Sequence, residues 1–164
     1  MARAGIGDRV EGFHAVDAAV KAGRAATVRI EQRRLKGGAY TALADAARSS
    51  GAEVQYVSDV RDQALTSAPQ GVVAVCRPKR TVSIEDAVAT TDPAALLVFD
   101  HLDDQRNLGA AIRSAVAAGL RSIVVPKRRA APIGAAAFKA AAGTLEEVSL
   151  VEVSSIPEAL RRLE

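Results

Sequence analysis

The chain has 164 residues, 49% of them hydrophobic and 25% charged, with a formal net charge of +3. That balance belongs to a folded protein of one domain or two small ones, and excludes a disordered chain. No apolar run approaches the roughly 20 residues of a membrane-spanning helix, and the stretch Met1–Arg9 lacks the apolar region of a secretory signal. Cys76 is the only cysteine and there are two histidines, so a structural zinc site is not expected and the expected setting is a reducing cytoplasm. Aromatic residues make up only 3% and tryptophan is absent, leaving few platforms for stacking single-stranded bases.

The elements alternate in type along the chain. Phe13–Ala22 predicts a helix stopped by Gly23, and Thr27–Ile30 a strand. Lys36–Gly38 reads as a loop, Tyr40–Ser49 as a helix and Glu53–Val57 as a strand. Ser58 or Asp59 is placed to cap a short helix running to about Leu65. The apolar run Gly71–Cys76 reads as a buried strand and closes a first unit, residues 1–77. A connector over 78–93 follows, with a short helix at Ser83–Ala89 and a break at Thr90–Pro93.

The second unit, residues 94–164, opens on the strongest strand signal, Ala94–Phe99. A polar loop, His101–Arg106, leads to a helix over Gly109–Ala118. Ser122–Val125 is a strand, Ile133–Ala142 a helix and Val148–Val153 a strand; Ser155 caps a last helix, Ile156–Leu163. Strand and helix alternating through short joins means an α/β fold with a parallel sheet covered by helices. Three such strands make about half of an ordinary open α/β sheet, and the expectation is that a further C-terminal portion completes it.

Three basic clusters stand beside predicted strand ends. Arg29, Arg33, Arg34 and Lys36 form the first, with Glu31 as the only acid among them; Arg77, Lys79 and Arg80 form the second; Lys127, Arg128 and Arg129 form the third. One such cluster alone reads as a solvated loop, whereas three favour a polyanionic partner, and arginine suits bidentate phosphate contacts. Arg33, Arg34, Lys36, Arg77, Lys79, Lys127 and Arg129 are the candidate contacts to such a partner.

In open α/β sheets ligands collect beyond the carboxyl ends of the strands. The segment there is Asp100–Gly109. In its plainest reading it is a solvated loop in which Asn107 caps the next helix. Against that, Arg113 follows on a helix face of small residues, where its arm can lie back over Gly109 toward the loop. His101 has no assignable partner, Asp103 and Asp104 alone are a poor metal site, and Ser114 has no histidine near it in sequence.

The run Asp104-Gln105-Arg106-Asn107-Leu108-Gly109-Ala110-Ala111-Ile112-Arg113-Ser114-Ala115, followed by Ala118-Gly119, resembles the first motif of the SpoU (TrmH-type) RNA ribose 2'-O-methyltransferases. Val124–Arg129 and Lys139–Glu146 fit the same family. Gly12–Val16 and Gln70–Ala74 resemble its small, ribosomal-protein-like RNA-binding domain. Members methylating 23S ribosomal RNA look nearest. The resemblance implies a trefoil-knotted (SPOUT-type) α/β domain, a homodimer, a ribosomal RNA substrate and S-adenosylmethionine as methyl donor, with no metal. It implies that Asn107 and Arg113 act on the acceptor ribose. It places the knot and the donor site C-terminal to Glu164, so that this chain alone is expected not to bind the donor. Gln105 stands where the family usually has proline. The other functions left open are a non-catalytic RNA-binding protein and a tRNA ribose methyltransferase.

Overall fold

A computed structural model describes residues 5–89, 95–128 and 130–163. Two sheets form. The first contains β1 (Arg9–Glu11), β2 (Ala25–Glu31), β3 (Glu53–Val57) and β4 (Val72–Cys76) in the order β1-β4-β2-β3. β2 and β3 run parallel, joined through α2 (Gly38–Ser49), while β4 lies antiparallel to both β1 and β2. α1 (Phe13–Lys21) joins β1 to β2 and buries Ala15, Val16, Ala19 and Val20, the stripe expected of an amphipathic helix.

β1 is absent from the sequence reading because three residues carry no usable alternation. It exists because β4 offers an edge, pairing Val10 with Ala74. The expected loop at Lys36–Gly38 also differs. Gln32–Lys36 forms a 3₁₀ turn and α2 begins directly after it. The helix expected from Ser58 to Leu65 shrinks to a 3₁₀ turn, Arg61–Gln63. The cause is a buried acid: the carboxylate of Glu11, 2% exposed, accepts hydrogen bonds from the backbone N–H of Leu65 (2.7 Å) and Thr66 (3.0 Å). Those donors are therefore unavailable to a helix.

The second sheet is parallel, in the order β5 (Leu96–Val98), β6 (Ser122–Pro126), β7 (Ser149–Val153). α4 (Gln105–Ala117) joins β5 to β6. α5 (Ala135–Ala140) and a 3₁₀ turn at Thr144–Glu146 join β6 to β7, and α6 (Ile156–Arg161) follows. Ser155 accepts from Glu158 N–H and caps α6 as expected. Alternation along β6 decides the layers. Ile123 and Val125 join the cluster containing Leu108, Ile112 and Phe138, while Val124 joins Ile84, Ala87, Val151 and Ala159. Helices thus cover both faces. α3 (Ile84–Ala89) lies within the expected connector and is one of those covers, with Ala87 accepting from buried Ser122 Oγ at 3.0 Å. β5 is only half-buried despite its apolar sequence, since β6 is its one partner among the described residues. The break expected at Thr90–Pro93 lies outside the described residues.

One hydrophobic cluster runs through both sheets. Phe138 of α5 is fully buried against Gly7, where a Cβ would come within 2.3 Å of the ring and φ is +59°. Only glycine fits there. Arg24 lies over the same ring, 5.3 Å from its centroid, and forms a nearly buried ion pair with Glu146 at 2.5 Å.

Candidate active site

α4 begins four residues earlier than expected, and the cap is Asp104 rather than Asn107. Asp104 Oδ1 accepts from the N–H of Arg106 (2.6 Å) and of Asn107 (3.2 Å). The Asn107 N–H, then that of Arg106, holds the Asp104 carboxyl below its ordinary range. An aspartate is a strong cap with its charge at the positive end of the helix, which explains its priority over a residue three positions on. Asn107 is thereby placed in the first turn with an exposed side chain. Gln105 is the first helical residue, a position that also accommodates proline, so this departure from the family pattern leaves the turn intact.

Leu108, Ile112, Ala115 and Val116 bury one face of α4. Gly109 faces α5 so closely that a Cβ would stand 2.3 Å from Ala137 O. Arg113, one turn further on, is exposed at the edge of this contact. It lines a cavity of about 530 Å³ together with Arg106, Lys139 and Ala140 on one side and Thr66, Ser67 and Gln70 on the other. The cavity therefore lies where the first unit meets the second. Its lining carries three cations and no carboxylate. Asn107 does not line it.

The first basic cluster adjoins this cavity through Gln70. Tyr40 Oη donates to Gln70 O at 2.7 Å, and Arg34 stacks on the Tyr40 ring at 5.7 Å. Arg33 behaves otherwise. Its Nε donates to Glu31 Oε2 at 2.6 Å, and Glu31 is 1% exposed and also accepts from Val60 N–H. Arg33 is thus the partner of a buried acid. Lys36 is exposed at the end of the same turn.

A second cleft, about 890 Å³, is lined by Arg9, Lys79, Arg80 and Lys127, with Asp8 and Glu152 as its acids. Leu65 lines both cavities. Burial pushes the Lys79 ammonium below its usual range, with the charge of Glu146 opposing that shift. Arg77 lines neither cavity and donates instead to Gly23 O. Arg129 lies outside the described residues. His101 pairs with Asp100 at 2.8 Å on the surface, and Ser114 Oγ donates to Ala110 O, so neither joins the cavity.

The residues that sequence reasoning missed are Glu11, Thr66, Arg106 and Lys139 as members of one arrangement. Glu31 left a trace as the lone acid in a basic cluster; Glu11 left none. The hydrogen bond from Arg33 is the main cause holding the Glu31 carboxyl below its ordinary value, against the opposing effect of burial. In the unfolded chain that carboxyl titrates near about 4.3. A lowered native value means that Glu31 contributes stability above that pH and loses it as the pH falls through the native value. Denaturant unfolding at pH 6 and pH 3 should therefore show a larger loss for wild type than for Glu31→Gln. Equal losses would mean that Glu31 is unlinked to acid unfolding.

The profile of the SpoU rRNA Methylase family matches residues 94–164, and that of RNA 2'-O ribose methyltransferase substrate binding matches residues 9–82. The chain is 37% identical over 113 residues to the 23S rRNA (guanosine-2'-O-)-methyltransferase RlmB of Escherichia coli (strain K12), covering 67% of this chain and 45% of that enzyme. It is 34% identical over 139 residues to the protein of the same name from Photorhabdus laumondii, covering 82% and 55%. Among solved structures, the SpoU methyltransferase AviRb from Streptomyces viridochromogenes superposes with a TM-score of 0.73 at 22% identity, over 94% of this chain and 56% of that one. An rRNA methyltransferase from Sinorhizobium meliloti gives 0.72 at 20%, over 93% and 56%. The chain spans about half the length of these relatives. The structural likeness establishes the fold.

Proposed function

We propose, for a chain that belongs to the SpoU rRNA methylase family, the role of RNA-receiving portion in an S-adenosylmethionine-dependent ribose 2'-O-methyltransferase. The substrate is ribosomal RNA of the large subunit, as the name of the RlmB relatives suggests. One observation carries the reading: Arg113 of the methylase-type unit opens onto a three-cation, acid-free cavity whose far wall, Thr66 to Gln70, comes from the substrate-binding unit. Such a lining attracts a phosphodiester. The homodimer and the cytoplasmic setting belong to the same proposal through family resemblance.

Bound S-adenosylmethionine supplies an electrophilic methyl group. The large cleft does not suit it, because its four cations, Arg9, Lys79, Arg80 and Lys127, outnumber its two acids, Asp8 and Glu152, and on balance oppose a sulfonium cation. Those residues suit the phosphates of the RNA strand on either side of the acceptor. In the cavity, the Arg113 guanidinium offers hydrogen-bond donors and no acceptor, so it is not the base. Its guanidinium holds the phosphate beside the acceptor ribose and stabilises negative charge developing on the 2'-oxygen. Asn107 lies outside the cavity, its side chain not needed for capping, which Asp104 provides; a role for it at the 2'-hydroxyl rests on the family resemblance.

The test is transfer of a tritiated methyl group from S-adenosylmethionine to ribosomal RNA. Label in 23S RNA, at a linkage that resists alkaline hydrolysis, is the expected result. RNA binding without label would make the protein a non-catalytic binder, and label confined to tRNA would change the substrate. The contact face has its own test. Arg34→Ala with Lys36→Ala should weaken RNA binding and lower the slope of log affinity against log salt by about 1 to 1.5. Arg33 is left intact, since its loss would strand buried Glu31. An unchanged slope would remove this face from the contact surface.

A further inference from the structure

We propose that Lys139 is a phosphate ligand of the Arg106–Arg113 cavity and that Glu11, acting through Thr66, positions it across the junction of the two units. The proposal rests on the methyltransferase reading above. Glu11 closes β1, and its carboxylate accepts from Thr66 Oγ1 at 2.6 Å as well as from the Leu65 and Thr66 N–H groups. The hydroxyl proton of Thr66 is committed to that bond. Thr66 Oγ1 can then serve Lys139 only as an acceptor, and Lys139 Nζ donates to it at 3.1 Å. A second N–H of the ammonium goes to Ala68 O. The third has no protein acceptor among the described residues.

The polarity of this chain is uniform, from ammonium to hydroxyl to buried carboxylate, with charge assisting the bond at each end. It links residues from β1, from the loop after the Arg61–Gln63 turn, and from α5. A half-buried lysine held by two directional bonds loses less side-chain freedom on meeting a ligand than a surface lysine does. It also lines a cavity whose other charged groups are Arg106 and Arg113, with no acid to neutralise them. The ligand that satisfies all three cations is a phosphate of the RNA backbone. Glu11 and Thr66 are positioning residues in this arrangement, since neither carboxylate nor hydroxyl has a proton left to give that phosphate.

The test uses the full chain and a fluorescein-labelled 23S RNA fragment, with affinity measured by anisotropy across a salt series. Lys139→Met should lower the salt slope by about 0.7, the value for one phosphate contact on a single strand. Lys139→Arg should retain it. Lys139→Gln, which keeps a donor, serves where the methionine variant folds poorly, and should show the same lowered slope. Thr66→Val should weaken binding about three- to tenfold in the wild-type background and have no further effect beside Lys139→Met or Lys139→Gln. A purely structural clasp would shift melting in both single variants and leave the salt slope at its wild-type value, overturning the proposal. A Thr66→Val loss of equal size in the lysine variants would overturn the positioning role. No binding by the wild-type chain would overturn this inference together with the function it rests on, whereas an unchanged slope overturns the inference alone.

Discussion

Arg113→Ala should reduce methyl transfer to ribosomal RNA by about 10²- to 10³-fold, the usual consequence of losing one donor aimed at developing oxyanion charge. The substitution is chosen for what it leaves alone. Arg113 is exposed, while the packing of α4 is carried by Leu108, Ile112, Ala115 and Val116 on the opposite face. Stability should therefore change by no more than about 0.5 kcal/mol. Asp104 still caps the helix, so the first turn of α4, which holds Asn107, keeps its geometry. Affinity for S-adenosylmethionine, measured by calorimetry, should be unchanged. Arg113→Lys should recover little, because one ammonium cannot reproduce a planar fork of donors. Initial rates at saturating RNA and donor, with melting as the control for folding, check the prediction. Near-normal rates with normal melting would leave Arg113 an ordinary surface arginine.

How far the chain discloses all this depends on the range of the interactions. The order of strands and helices follows from periodicity and glycine placement, which are local. The segment Asp104–Ala115 is legible too, because its chemistry lies within one loop and one helix. What stays hidden is set by contacts between distant residues. β1 needs the edge of β4, and the turn at Arg61–Gln63 is short because Glu11, some fifty positions earlier in the chain, takes the N–H groups a helix would use. Charged residues are ordinarily solvated, so nothing in composition marks Glu11 and Glu31 as buried. Arg33 illustrates the converse: a surface cation by sequence, it serves an internal acid. Two adjacent acids and an asparagine all cap well, and geometry alone selects Asp104 as the cap at the start of α4. Lys139 lies within a segment that fits the family, yet its meeting with Thr66 across 73 positions appears only in the folded chain.

The close approach of α4 to α5 sets the second large effect. Gly109→Ala should destabilise the protein, although alanine is the better helix former by about 1 kcal/mol. The added Cβ would stand 2.3 Å from Ala137 O, 2.8 Å from Ala140 Cβ and 2.9 Å from Ala141 N. Two of these are backbone atoms and cannot rotate away, so the helices must separate. Overpacking of this kind costs about 1–3 kcal/mol or more, which outweighs the gain in propensity. For a chain of this size, 2 kcal/mol lowers the melting temperature by about 4–8 °C. Ala110→Gly supplies the contrast. Ala110 is exposed, and its replacement should cost only the propensity term of about 1 kcal/mol. The consequence for RNA is separate from that for stability. Gly109 lies one turn before Arg113 on α4, and Lys139 sits on α5 beside Ala140, which the new methyl would displace. Parting the helices widens the gap between the two cations, so RNA affinity should fall even at temperatures where the variant is fully folded. Anisotropy at 10 °C alongside the melting curve separates the two effects. A Gly109→Ala protein that melts higher than wild type, with unchanged RNA affinity, would mean that α4 and α5 can shift apart without cost and that their contact does not set the cavity.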